Sequence, residues 1–150
     1  MKRFVAVLVL IFSMSGIAAA QRGLACHPVF RGKIVPSEHM IETKVGSGSM
    51  STYKLEYYHS VQFQADQETA AKVSGLVSAD AAASESAEID SQGGVLTYAL
   101  IQLAPFKRVR RYLCYQARPL GPFWKVTIVY LEGSATIDDL RTMFDKKEEQ

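Results

Sequence analysis

From Tyr53 to Ala65 the chain alternates. Odd positions carry Tyr53, Leu55, Tyr57, His59, Val61, Phe63 and Ala65, whereas even positions carry Lys54, Glu56, Tyr58, Ser60, Gln62 and Gln64. Successive side chains on a strand point to opposite faces, so this period of two predicts one long strand with a single buried face. At ~3.3 Å per residue it is longer than most strands, and a bend or bulge is expected near His59-Ser60.

The neighbouring segments fit a sheet built around that strand. Met40 to Val45 predicts a short strand, closed by the turn composition of Gly46-Ser47-Gly48-Ser49. Val95 to Leu103 is apolar at almost every position, which predicts a strand covered on both faces in the middle of the sheet, ended by Pro105. Val109 to Gln116 and Phe123 to Leu131 are two further strands across the Pro119-Leu120-Gly121-Pro122 turn. The second places Trp124, Val126, Ile128 and Tyr130 on one face.

Two helices complete the pattern. Asp66 offers a cap to Gln67–Glu88, where Val73, Leu76, Val77 and Ala81 form an apolar stripe, and the second half is expected to fray or bend before Gly93-Gly94. Thr136, followed by Asp138 and Asp139, opens a last helix whose stripe is Ile137, Leu140 and Phe144. The expected fold is α+β, an antiparallel sheet of about four to five strands with both helices packed on one face.

The first 20 residues have the layout of an export signal. Lys2-Arg3 precede the apolar run Phe4 to Phe12, and Ala18-x-Ala20 supplies a cleavage pattern. The run is too short to span a membrane, which takes roughly 20 apolar residues, and no later stretch approaches that length. Residues 21–37, with Pro28 and Pro36, read as an irregular arm, and residues 38–150 as one domain. Removing the signal deletes two of 17 basic residues and none of 15 acidic ones, so the mature chain is formally neutral. A neutral chain has no global field to gather nucleic acid, and no nucleic-acid partner is expected.

Cys26 and Cys114 are the two cysteines, and in an exported chain their even count predicts a disulfide. Two buried free thiols, or lipidation of Cys26 just beyond the signal, are the alternatives; the residues before Cys26 fit a lipidation signal poorly.

The chemistry-bearing residues are sparse. Cys26, His27 and His39 lack the four-ligand spacing of a structural zinc site, so neither metal nor cofactor is expected. His59 could act as a base for a small hydrolase, but its neighbour Ser60 should point to the opposite face and no Gly-x-Ser-x-Gly turn is present. No phosphate-binding glycine loop occurs either. The basic run Lys107, Arg108, Arg110 and Arg111, beside Tyr112, could hold an anion by planar Arg forks, although alternation splits its members between faces. Tyr58, Arg108, Arg111 and Tyr112 are the candidate binding residues.

The signal, the run from Val45 to Val61 with Met50, Tyr53, Leu55, Tyr58 and Ser60, and the run Val129-Tyr130-Leu131-Glu132-Gly133-x-Ala135-Thr136 together resemble small exported proteins of unknown function from Bacteroidetes. The resemblance covers most of the mature chain and implies an export compartment and a single domain, with no activity attached to any residue. The expected role is a non-catalytic, periplasmic or extracellular binding domain, its partner an envelope protein, peptide or glycan. A hydrolase using His59, and anion binding by residues 107–111, are the alternatives.

Overall fold

The computed structural model describes residues 23–46 and 54–148, with side chains through Met143. The expected export signal, the residues of the turn after Gly46, Tyr53 and the Phe144 side chain lie outside it. A single helical turn, α1 (His27–Phe30), and a 3-10 turn (Ser37–His39) lead into β1 (Ile41–Val45) and β2 (Leu55–Ala65). Helix α2 (Gln67–Ala82) follows, then β3 (Ser86–Gln92), β4 (Val95–Phe106), β5 (Val109–Leu120), β6 (Phe123–Gly133) and α3 (Ile137–Glu148). The strands form one antiparallel sheet in the order β1-β2-β6-β5-β4-β3.

The sheet thus has six strands, not four to five. The extra one, β3, begins within the residues expected as helix and runs on to Gln92; the helix itself stops at Ala82 rather than Glu88. Ser84 closes the helix end twice over: its N–H donates to Ala81 O at 3.2 Å and its hydroxyl donates to the same carbonyl at 2.6 Å. Every residue of β3 is exposed, so its sequence carries no burial alternation to betray it. Because β3 lies outside β4, the apolar strand β4 is next to the edge and β6 and β5 are central.

Residue parity sorts the core into two layers. Val61, Phe63, Ala65, Ala99, Ile101, Leu113, Tyr115, Val126, Ile128 and Tyr130 pack with Ala70, Val73 and Val77 of α2 and with Cys26, Val29, Phe30 and Val35 of the arm. Leu100, Tyr112, Cys114, Val129 and Leu131, their neighbours of opposite parity, pack with Ala135 and Leu140 on the α3 side. The two helices therefore cover opposite faces of the sheet, not the same one. At about 1.5–3 kcal/mol for each fully buried aliphatic side chain, each layer contributes substantially to holding its helix.

Both predicted caps form. Thr69 N–H donates to Asp66 Oδ1 at 2.7 Å; Asp139 N–H donates to the Thr136 hydroxyl at 3.2 Å, and Thr136 N–H donates back to Asp139 Oδ2 at 2.9 Å. The irregularity in β2 is not at His59-Ser60 but between Leu55 and Tyr57, where the register with β6 shifts. That shift puts Leu55 in the α3 layer, on the other face from Tyr57. Leu55 lies opposite Gly133, where a Cβ would run into the Lys54 carbonyl and the Leu55 Cα, so the close approach requires glycine.

The expected disulfide is absent. Cys26 belongs to the arm layer and Cys114, on β5, to the α3 layer, so the sheet stands between two buried free thiols. The arm is instead tied down by Asp80 near the end of α2, whose buried carboxylate accepts from Ala25 N–H at 2.6 Å and Cys26 N–H at 3.0 Å.

Candidate binding cleft

The four candidate binding residues do not converge. Tyr112 is fully buried, its hydroxyl donating to Ala135 O at 2.7 Å, and Tyr58 packs partly buried in the same α3 layer. Arg108 sits in the β4–β5 turn. Arg111 points to the arm layer, where its Nε donates to the Tyr130 hydroxyl at 2.9 Å and its guanidinium lies over that ring. The basic run is divided among internal tasks: Lys107 lies over the Phe106 ring and Arg110 donates to Ser134 O at 3.1 Å.

His59 is buried in the same layer. One ring nitrogen lies 2.9 Å from Glu42 Oε2 on β1, and the Phe30 ring covers it with centroids 4.9 Å apart. Burial holds its pKa below the ordinary 6.5, although the Glu42 hydrogen bond pulls the other way. Ser60 faces the opposite side of the sheet, paired with Val129, so no base–nucleophile pair forms.

Around His59 runs a polar chain across three strands. The Tyr130 hydroxyl donates to Glu132 at 2.6 Å, and the Tyr57 ring meets Tyr130 edge-on at 6.1 Å. The Tyr57 hydroxyl is buried and has no hydrogen-bond partner among the described residues; burial and the nearby Glu132 and Glu42 carboxylates push its pKa up. Neither thiol is poised to react. Cys114 is pushed up to about 12 by burial, and burial together with Asp80 raises Cys26. Among the described residues no three His, Cys, Asp or Glu side chains gather closely enough to hold a metal, and Cys26, His27 and His39 form no such group. None of the described helices is long and apolar enough to cross a membrane.

The opposite end of β2 is open. A cleft of about 780 Å³ lies there, within the size range of ligand sites. Gln62 to Ala65 of β2 form its floor, Ile34, Val35, Pro36 and His39 of the arm one wall, and Leu120, Phe123 and Lys125 of the β5–β6 hairpin the other. Asp66 and Thr69, at the start of α2, close its end. Three large apolar side chains stand exposed around it: Ile41 at 67%, Phe123 at 45% and Leu120 at 44%.

The cleft exists because β1 is short. Its pairing with β2 stops at Ile41↔Gln62, where the chain upstream turns away through Ser37–His39, while β2 runs on through Phe63, Gln64 and Ala65, paired only with β6. Sequence reasoning missed this site. The available signals were Ile41, the one large apolar residue at the start of an otherwise polar Ile-Glu-Thr-Lys strand, and Leu120 and Phe123 flanking a Gly-Pro turn.

Residues 13–144 match one protein-family model, the Family of unknown function (DUF6108). The chain belongs to that family. No curated protein and no solved structure is detectably similar. Membership in DUF6108 bears out the expectation of a domain of unknown function and attaches no activity to it.

Proposed function

We propose that this DUF6108 protein is an exported, non-catalytic binding domain whose ligand seats in the cleft beside the end of β2. One observation carries the proposal: Ile41, Leu120 and Phe123, three of the large exposed apolar side chains, come from separate elements and gather at one cleft. Apolar side chains left in water singly need no explanation, but a group around a concavity marks a place where a ligand removes them from water. The resemblance to exported Bacteroidetes proteins and the signal-like first 20 residues support an export compartment. The burial of His59 and of both thiols supports a binding role over a catalytic one.

The test is capture by purified mature protein, from envelope extracts and on glycan arrays, compared with an Ile41→Ser/Phe123→Ser variant. Both positions are exposed, so the variant keeps its fold, and it is expected to lose a saturable ligand that the wild type retains. Equal capture by both proteins contradicts the proposal, as does ester, peptide or glycoside turnover abolished by His59→Gln.

A further inference from the structure

The ligand's chemistry follows from the shape and charge of the cleft, taking the binding-domain proposal as its premise. We infer that the cleft takes an extended polypeptide strand, added to the open edge of β2 at Phe63–Ala65, with apolar side chains toward the arm and an acidic side chain toward Lys125.

The backbone comes first. Phe63, Gln64 and Ala65 have a strand partner on one side only, and the lane beyond Ile41 that would hold the other partner is the cleft itself. An unpaired strand edge offers alternating N–H and C=O groups at the spacing another strand needs, and peptides add to sheets in this way. At ~3.3 Å per residue the open edge is roughly 10 Å long, enough for a three-residue strand core.

Shape separates a strand from a compact ligand. The cleft touches Gln62 and Gln64, which face the α3 side, and also Phe63 and Ala65, which face the arm side. A cavity in contact with both parities wraps the edge of the strand rather than resting on one face. A strand placed there alternates its own side chains between the same two environments.

Those environments differ. On the arm side the added strand meets Ile34, Val35 and Phe63. On the other side it meets Lys125, which makes no ion pair among the described residues; Arg118, directly opposite Lys125 in the β5–β6 ladder, stands one strand farther from the cleft. Like charges directly opposite repel, and a carboxylate placed beside Lys125 relieves the repulsion.

The test is a titration of the mature protein with a short blocked peptide in which Val and Glu alternate, followed through Trp124, the single tryptophan, which lies between the cleft residues Phe123 and Lys125. Saturable binding is expected. N-methylation of one alternate set of peptide amides should abolish it and methylation of the other set should not, because a strand uses every second amide toward its neighbour. Lys125→Glu, an exposed substitution, should weaken the Val/Glu peptide about tenfold and favour a Val/Lys peptide, as expected when a surface attraction becomes a repulsion. No binding by either peptide, or binding indifferent to N-methylation, overturns the inference. So does a concentration-dependent oligomer dissolved by Ile89→Lys, which would give the cleft to the β3 edge of a second copy. If capture from extracts depends on Ile41 and Phe123 while both peptides fail, the strand assignment falls and the binding-domain proposal stands.

Discussion

Asp80 and His59 are buried polar residues doing opposite things to stability. Asp80 supplies both oxygens to the amides of Ala25 and Cys26. In Asp80→Ala those amides lose their acceptor, and since a buried unsatisfied donor costs about 1–3 kcal/mol, the variant should lose about 2–4 kcal/mol in denaturant unfolding. Asp80→Asn, keeping one oxygen, should fall between; wild-type stability in the alanine variant would contradict the tie. His59 works through pH. Burial holds its folded-state pKa below the unfolded value near 6.5, with Glu42 opposing, so as pH falls the unfolded chain takes up the proton first. The ring therefore subtracts nothing well above pH 6.5, and its penalty grows as pH drops from there to the folded-state pKa. His27 shifts in the same direction, through its own burial and then Arg31. Urea unfolding at about pH 7.5 and pH 5.5 should show a shallower loss of stability in His59→Gln than in wild type; parallel losses would place the titration elsewhere.

Among the elements, the β4–β5 hairpin is the least comfortable. Its turn residues Lys107 and Arg108 both have positive φ, 50° and 68°, a backbone region that Asn and Gly enter at much lower cost. Replacing the pair by Asn-Gly should raise stability by about 1 kcal/mol, read from the denaturation midpoint, and no change would mean that the two side chains compensate for the strain. Elements with a local signal were legible in the sequence: β2 from its alternation, α2 and α3 from their caps, and β6 from its Trp124–Tyr130 face. Elements whose position depends on distant partners were not. The register of β3 is set by its pairing with β4, and its exposed Ser-Ala-Glu-Ile-Asp-Ser-Gln sequence has no period. The sides taken by α2 and α3 follow from which parity of each strand the helix covers, and buried residues of both parities occur on β4, β5 and β6. The candidate site was hidden for a related reason: an open strand edge is a relation between the lengths of β1 and β2.

At the scale of the molecule, one sheet separates two cores and puts one cysteine in each. Ellman's reagent should find no reactive thiol in the native protein and two after denaturation, and a reducing agent should leave Tm unchanged. A Tm that falls on reduction would show a bond that the sheet should prevent. The same division gives the two ends of β2 different characters. One end is closed by Phe30, His59 and the Arg111–Tyr130–Glu132 chain; the other is open, apolar and flanked by Lys125. Amide-resolved hydrogen exchange with and without the captured ligand tests this account most directly. Protection is predicted at Phe63–Ala65 and around Leu120–Phe123, with the amides of Tyr57, His59 and Arg111 unchanged; protection centred on those three residues instead would contradict it.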